Sequence, residues 1–253
     1  MCGRYSLFTP PKTVETRFDA HFREAFEPRY NAAPGQQLPV ITNEEPETIR
    51  RLEWGLVPAW ATEGSDGLIN ARAETIDEKP SFREAYRRPR RPQASAGRDG
   101  DGADSAAGRC LVLADGFYEW VETDDGTRPY RIAFADGRPF AMAGLWTRRE
   151  PDTRQAGLDA FGAGTTDGSE TETGPLETFT VVTTEPHVLV GELHHRMAAI
   201  LRPGAERRWL TDGDPRDLLT PHPADEMEAY RVSTAVNRPT NDDPSLVEPV
   251  GSA

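Results

Sequence analysis

The second residue of the chain is a cysteine, and a small second residue normally allows removal of the initiator Met1. The mature chain would then begin at Cys2 with an amine and a thiol on adjacent carbon atoms. Both groups are nucleophiles, with ordinary pKa values of about 7.7 to 8.0 and about 8.5. An aldehyde can condense with the amine to an imine, which the thiolate closes to a five-membered thiazolidine. Cys2 therefore predicts covalent capture of an aldehyde, unless it is only an incidental small residue.

A second candidate is Glu119, which lies among three aromatic residues in the segment 115–120, directly after the apolar segment 110–114. If a strand continues there, Phe117 and Glu119 share one face. Contact with aromatic rings raises the pKa of a carboxyl group by desolvation, and this suits proton transfer near neutral pH. The alternative is a strand-end glutamate that points into water between core aromatic residues.

Two adjacent histidines, His194 and His195, lie between a predicted helix and the apolar segment 198–201. Adjacent side chains of an extended segment point to opposite faces, so we expect at most one imidazole to reach a given site. Imidazole is the side chain best suited to acid-base chemistry near neutral pH. The other histidine would be structural.

Two further segments offer groups that could bind nucleic acid. Asn70 and Arg72 would share one face of a strand, where they present an amide and a fixed positive charge to polar or phosphate oxygens. The segment 54–60 begins and ends with tryptophan, at Trp54 and Trp60. Exposed tryptophan can stack on unpaired bases, which favours single-stranded DNA, although core packing is the commoner role for this residue.

The composition limits these readings. The net charge is -13, so the chain as a whole repels nucleic acid, and a DNA site must be a local arginine-rich cleft. Such acidity suits a salt-rich environment, where screening weakens the repulsion between carboxylates, although it also fits an ordinary soluble protein. Cys2 and Cys110 give no disulfide framework, and neither a leader nor a long apolar segment is evident, which predicts a soluble, reduced, cytoplasmic protein.

The apolar pattern predicts one α+β domain over 2–248, with a curved antiparallel sheet or barrel core and short flanking helices. The predicted strands are Gln37–Thr42, 109–114, 129–135, 139–146, 177–184 and 230–236. The predicted helices are 13–26, 186–193 and 205–210. Two segments rich in glycine and small polar residues, 91–108 and 149–174, are predicted to be flexible surface loops.

Five motifs occur in order along the chain: Met-Cys-Gly-Arg-Tyr, Trp-Gly-Leu-Val-Pro, Asn-Ala-Arg-Ala-Glu-Thr, Gly-Phe-Tyr-Glu-Trp and His-His-Arg-Met. The segments 29–34 and 236–241 match as well. With this combination the chain resembles the SOS response-associated peptidase (SRAP) family over 2–248. One departure is Ala198, where the family usually has proline after Arg-Met.

The resemblance implies a DNA-damage protein that crosslinks itself to abasic sites in single-stranded DNA and shields them from strand cleavage. This activity would be lyase-like and self-modifying. Asn70 would orient the N-terminal group, Glu119 would transfer protons, and His194 would assist opening of the sugar ring. The implied catalytic residues are Cys2, Asn70, Glu119 and His194, and the implied DNA-contacting residues are Arg4, Trp54 and Arg72.

Other functions remain open at this point. The main alternative is a peptidase whose N-terminal cysteine removes Met1 from its own chain or cleaves other proteins. A zinc-binding module is another, although the cysteines and histidines form no short paired ligand motif. A non-covalent reader of modified bases would need neither a free amine nor Glu119. We expect no metal, no cofactor and no membrane contact, and a monomer in the cytoplasm that joins the nucleoid when it binds DNA.

Overall fold

The computed structural model describes residues 2–62, 64–88, 106–124, 126–150 and 174–251. Within them the α-helices are α1 (Pro11–Phe18), α2 (Pro80–Arg87), α3 (Val188–Gly191) and α4 (Ala205–Thr211). The strands are β1 (Tyr5–Leu7), β2 (His21–Phe22), β3 (Arg29–Ala32), β4 (Gln37–Thr42), β5 (Thr48–Trp54), β6 (Asn70–Arg72), β7 (Ala107–Ala114), β8 (Gly116–Thr123), β9 (Gly126–Phe134), β10 (Phe140–Arg149), β11 (Leu176–Thr184), β12 (Met197–Ala198) and β13 (Met227–Arg231). The predicted α+β class with short helices is confirmed.

Five strands close into a barrel. Antiparallel pairs run from β11 through β10, β7 and β4 to β5, and β5 returns to β11 in parallel, with Trp54 opposite Phe179. The predicted barrel is therefore present, but its closing contact is parallel rather than antiparallel. Strand β6 also pairs in parallel with β11, and this pairing places Asn70 opposite Val181.

A second sheet holds the N-terminal strand in its interior. Its strand order is β13-β9-β8-β1-β3, so β1 is paired on both sides. Tyr5 lies opposite Phe117 of β8 and opposite Ala32 of β3. Because Cys2 is three residues before Tyr5, this pairing brings the N-terminal segment beside β8, the strand that carries Glu119.

Asp115, between β7 and β8, anchors the other end of β1. Its carboxylate accepts hydrogen bonds from the Ser6 hydroxyl at 2.7 Å and from the N–H groups of Phe8 at 2.6 Å and Thr9 at 2.9 Å. The guanidinium of Arg131 lies 3.2 Å from the same buried carboxylate. A buried carboxylate with several donors is well compensated, and the N-terminal strand is therefore held at both of its ends.

Strand β7 is buried on both faces, and its alternate residues belong to two cores. Cys110 and Val112 lie in the core that fills the barrel, which also contains Cys2. Leu111 and Leu113 lie in a second core with residues of α2 and α4. The period of two along the strand thus assigns each side chain to one of the cores.

Three predicted elements are shorter in the structure than predicted. The helix predicted over 13–26 ends at Phe18, and Asp19 adopts a left-handed conformation with a φ of 50°. Phe22 belongs to β2 instead, because His21 and Phe22 pair with β5 and satisfy their backbone groups there. The helix predicted over 186–193 is the single turn of α3. The strand predicted over 230–236 ends at Arg231.

The two predicted loops, 91–108 and 149–174, also have different limits in the structure. Ala107 and Gly108 belong to β7, and Arg149 belongs to β10, because each pairs with a neighbouring strand. Residues 91–105 and 151–173 of these predictions lie outside the described residues. None of the helices in the described part of the chain has the length and apolar character that crossing a bilayer requires.

Candidate active site

Cys2 lies just before β1, and its side chain is completely buried. The thiol lies 3.9 Å from the carbonyl oxygen of Arg4, its hydrogen-bond acceptor. Burial raises the pKa of the Cys2 thiol well above its ordinary value, and the negative charge of Glu119 raises it further. The thiol is therefore protonated at neutral pH. It can act as a nucleophile only if a neighbouring group accepts its proton.

Asn70 holds the backbone of Cys2. Its Nδ2 donates hydrogen bonds to the carbonyl oxygen of Cys2 at 3.0 Å and to that of Ile69 at 2.8 Å. Its Oδ1 is buried and accepts no hydrogen bond within the described residues. Ala71 is buried whereas Arg72 is exposed, so the predicted alternation along this strand is confirmed. Asn70 thus keeps one acceptor available beside the start of the chain.

Glu119 lies on β8 and is almost completely buried. Burial raises the pKa of its carboxyl group to about 7, although the positive amino terminus acts in the opposite direction. A carboxyl group with this pKa is present in both protonation states near neutral pH, so Glu119 can donate or accept a proton. Phe117, on the same face of β8, is buried as well, as the sequence predicts.

His194 lies in the turn after α3 and is half-buried. Its Nδ1 lies 3.0 Å from both the carbonyl oxygen and the amide nitrogen of Arg196, whose backbone therefore orients the ring in either tautomer. Burial lowers the pKa of His194, and the charges of the amino terminus, His195 and Arg196 lower it further. The ring is therefore neutral near pH 7 and able to accept a proton.

The prediction that His194 and His195 point to opposite faces is wrong. Their ring centroids are 4.3 Å apart, and the ring planes differ by 32°. The alternation rule does not apply because residues 192–196 form a turn rather than a strand. Arg196 holds this turn to the barrel through hydrogen bonds to Glu74 at 2.7 and 2.9 Å and to the carbonyl oxygen of Thr183 at 2.7 Å.

The four predicted catalytic residues gather at the start of the chain. The charge of Glu119 raises the pKa of the Cys2 thiol, so these two groups are close enough to interact, and the positive charge of the amino terminus opposes protonation of Cys2, Glu119 and His194 alike. Asn70 touches the same segment through its hydrogen bond to Cys2. These residues come from four separate parts of the chain, and together they offer a thiol, an amide, a carboxyl group and an imidazole.

The predicted DNA-contacting residues differ in their surroundings. Arg4 donates hydrogen bonds to Oδ1 of Asn31 at 2.9 Å and to the carbonyl oxygens of Val236 at 2.8 Å and Asn237 at 3.3 Å. Its guanidinium therefore ties β1 to the C-terminal segment. Arg72 is exposed on β6 and forms no ion pair with the described residues, so its guanidinium is available to bind a phosphate group.

Trp54 is buried, and the prediction that it contacts DNA is wrong. Its Nε1 donates to the carbonyl oxygen of Ile69 at 3.0 Å, and its ring packs against Tyr5 and Phe179. No face of this ring is available to a base. Trp60, at the other end of the same segment, is 66% exposed and does offer a face.

No metal site is formed by the described residues, where no group of three or more His, Cys, Asp or Glu side chains is arranged to hold an ion. Cys110 lies on β7 inside the barrel core, and it is buried like Cys2. The zinc-binding alternative therefore receives no support from the described part of the chain.

Comparisons with known proteins match nearly the whole chain. The model of the family described as SOS response associated peptidase (SRAP) matches residues 1–92 and 103–239. Abasic site processing protein YoqW of Bacillus subtilis (strain 168) is 37% identical over 260 residues, covering 98% of this chain and 99% of the relative. Abasic site processing protein HMCES of Gallus gallus is 28% identical over 246 residues, covering 89% of this chain and 67% of the relative. A crystal structure of a protein from Bacteroides thetaiotaomicron superimposes with a TM-score of 0.73 at 25% identity, covering 98% of this chain and all of the other.

Proposed function

The chain belongs to the SOS response associated peptidase (SRAP) family, and from that premise we propose that it crosslinks itself through Cys2 to abasic sites in single-stranded DNA. The observation that carries the proposal is the gathering of Cys2, Glu119 and His194 at the amino terminus. The names of its relatives, which are abasic site processing proteins, support the choice of substrate. Removal of Met1 would give Cys2 the α-amine that the reaction needs.

The first step opens the sugar of the abasic site. When Nδ1 of His194 donates to the carbonyl oxygen of Arg196, Nε2 is left unprotonated and can accept the proton of the anomeric hydroxyl group. The bond between the anomeric carbon and the ring oxygen then breaks, and the released oxygen takes up a proton. The product is an open-chain aldehyde next to the amine of Cys2.

The second step forms the covalent bond. The amine of Cys2 attacks the aldehyde carbon, and the resulting hydroxyl group leaves as water once Glu119 has protonated it. The thiol of Cys2 then adds across the C=N bond of the imine. Its sulfur bonds to carbon, and its proton passes to nitrogen with Glu119 as the carrier, because the pKa of Glu119, about 7, allows both protonation states.

Closure to the thiazolidine explains how the crosslink protects the strand. An imine withdraws electrons from the neighbouring sugar carbon, and this favours loss of the phosphate by β-elimination. Addition of sulfur saturates the imine carbon and removes that electron sink. Asn70 supports this step because its hydrogen bond to the carbonyl oxygen of Cys2 keeps the residue in place while its thiol and amine react with the same carbon.

DNA binding must depend on a few local contacts, because the chain carries a net charge of -13. Arg72 is exposed and offers a positive charge to a phosphate group. Trp60 replaces Trp54 as the proposed stacking residue, because the ring of Trp60 is exposed and that of Trp54 is buried. A single strand with unpaired bases suits this pair of contacts better than a duplex does.

Denaturing electrophoresis tests the proposal. Wild-type protein and Cys2→Ser are each mixed with labelled single-stranded DNA that carries one abasic site, and an intact strand of the same sequence is the control. We expect a heat-stable shifted band only for the wild type with the abasic strand. The proposal fails if that band is absent although the protein is folded and mass spectrometry shows a free N-terminal Cys2. It also fails if Cys2→Ser forms an undiminished heat-stable band.

Removal of Met1 by the protein's own site is a second candidate activity, and the burial of Cys2 supports it. A separate aminopeptidase would have little access to the Met1–Cys2 peptide bond once the chain has folded. The test is intact-mass analysis over time after synthesis in a translation system without methionine aminopeptidase. Self-processing predicts loss of Met1 in the wild type and its retention in Glu119→Gln; equal loss in both would contradict it.

A further inference from the structure

His187 caps the first turn of α3, the helix that precedes His194. Its backbone is extended, and its Nδ1 accepts a hydrogen bond from the N–H of Val190 at 3.3 Å. Its carbonyl oxygen accepts the N–H of Gly191 at 2.8 Å. A side-chain acceptor at this position satisfies an N–H group that the helix itself leaves unpaired.

The same turn determines the position of His194. The carbonyl oxygen of Val190 accepts the N–H of His194 at 2.8 Å and that of Leu193 at 2.9 Å. Val190 therefore receives the cap at its N–H group and holds His194 at its carbonyl group. The N–H of His187 in turn points at Sδ of Met197 at 3.4 Å, and Met197 is paired with β11 of the barrel.

We propose that His187 is a positioning residue for the crosslinking reaction: as the cap of α3 it fixes Val190 and, through Val190, holds His194 at the amino terminus. This inference rests on the proposed function of Cys2 and His194. His187 does not touch the reacting atoms in this scheme. It acts because α3 is a single turn of four residues, which has too few hydrogen bonds of its own to persist without a cap.

The cap requires a neutral imidazole, because a protonated Nδ1 is a donor and cannot accept the N–H of Val190. Burial lowers the pKa of His187, and the nearby His222 lowers it further, against the effect of its own backbone hydrogen bond. His222 is the one titratable side chain that acts on His187 within the described residues. It is buried against Phe134 with a ring distance of 5.0 Å.

The charged groups around this pair lie next to His222. Nε2 of His222 is 3.8 Å from Oε1 of Glu226. The charges of Arg202, Arg138 and Asp225 also act on His222. Strand β13, which packs against α3, carries the charged residues Glu228 and Arg231. Nε2 of His187 has no hydrogen-bond partner among the described residues. Acidification that protonates Nδ1 of His187 would remove the cap, and we expect it to release His194.

Three variants separate positioning from general stability. His187→Ala removes the cap, whereas His187→Asn keeps a side-chain acceptor that does not titrate. Asp243→Ala is the matched control. It removes the side-chain cap of another single turn, Pro244–Val247, where Asp243 accepts the N–H of Ser245 at 3.0 Å.

Single-turnover crosslinking at saturating protein is measured between pH 5 and pH 8, together with the affinity for the abasic strand. We expect His187→Ala to lower the rate at pH 7.5 by about fivefold without a change in affinity, since a cap has roughly that effect on an equilibrium constant. The crosslinking rate of His187→Asn should stay within about twofold of the wild-type rate. As the pH is lowered, this variant should keep its rate to a lower pH than the wild type does. Asp243→Ala should leave the rate unchanged.

Two outcomes of the rate measurement overturn the inference: a His187→Ala rate equal to that of Asp243→Ala, or a His187→Asn rate as low as that of His187→Ala. Failure of the proposed function looks different, because the wild type itself then forms no crosslink. Amide hydrogen exchange tests the positioning in either case. His187→Ala should speed exchange at Val190 and His194 and His187→Asn should not, and unchanged exchange in both would refute the link.

Discussion

The side-chain amide of Asn70 donates a 3.0 Å hydrogen bond to the carbonyl oxygen of Cys2, a residue 68 positions earlier in the chain. This contact joins the start of the chain to β6 and, through β6, to the barrel strand β11. The nucleophile is therefore positioned by the barrel as well as by the sheet that contains β1. Loss of this contact should affect the reaction more than the stability of the fold.

Asn70→Ala is expected to slow crosslinking by about five- to tenfold, the factor that corresponds to one hydrogen bond of about 1 kcal/mol. Asn70→Asp should be at least as slow, because a carboxylate cannot donate to the carbonyl oxygen of Cys2 and repels it. Single-turnover electrophoresis measures both rates. A full rate in Asn70→Ala would show that Cys2 needs no such anchor.

Glu119→Gln is expected to change how stability depends on pH. The pKa of Glu119 in the folded protein, about 7, lies above its ordinary value of 4.5. Its contribution to the free energy of unfolding is therefore complete below about pH 4.5 and is lost as the pH rises through about 7. Glutamine stays neutral. The free energy of unfolding of Glu119→Gln should therefore rise by about 3 kcal/mol relative to that of the wild type as the pH increases from about 4.5 to about 7.

Urea denaturation at a series of pH values measures this difference. Glu122→Gln, an exposed substitution on the same strand, controls for the loss of one carboxylate. A difference between Glu119→Gln and the wild type that stays constant from pH 4.5 to pH 8 would mean that Glu119 does not titrate in this range. In that case it could not serve as the proton carrier.

The two tryptophans of the segment 54–60 should have opposite phenotypes. Trp60→Ala should weaken binding to single-stranded DNA by roughly 1 to 3 kcal/mol and leave the thermal midpoint unchanged, because its ring is exposed. Trp54→Ala should lower the free energy of unfolding by about 3 to 5 kcal/mol, because it empties part of the barrel core. Fluorescence anisotropy and thermal denaturation distinguish them, and normal affinity in Trp60→Ala would exclude stacking at this residue.

Arg72 and Arg4 should also differ, the first in DNA binding and the second in stability. Arg72→Ala should reduce the slope of the logarithm of the binding constant against the logarithm of salt concentration by about 0.7, the value for one phosphate contact on a single strand. Arg4→Ala should instead lower the free energy of unfolding by about 1 to 3 kcal/mol, because it leaves Oδ1 of Asn31 without its donor and removes one of the two donors to the carbonyl oxygen of Val236. An unchanged salt slope in Arg72→Ala would remove it from the interface.

Local patterns in the sequence predicted the parts that depend on local geometry. The strand Gln37–Thr42 has the limits that its apolar residues indicate. Phe117 and Glu119 share a buried face, and Asn70 and Arg72 share a face on either side of the buried Ala71. In each case the period of two residues along a strand determines which side chains point the same way, and the sequence contains that period.

The helix predicted over 13–26 shows where this reasoning fails. Phe18 and Phe22 have helical spacing, yet the chain leaves the helix at Asp19 and pairs with β5. The spacing within the segment is the same for a longer helix and for a short helix followed by a strand. Pairing with β5, a segment more than twenty residues away, favours the short helix followed by a strand. The spacing of apolar residues within the segment carries no information about such a distant partner.

The sequence by itself determined the chemistry that the site can offer: a cysteine at position 2, a glutamate among aromatic residues, and a histidine pair. Only the tertiary structure decided which groups meet and which face solvent. Closure of the barrel between β5 and β11 buried Trp54 and left Trp60 exposed, and the C-terminal segment engaged Arg4 across 232 positions. Exposure and pairing result from contacts between distant segments, so they are properties of the folded chain rather than of any one stretch of its sequence.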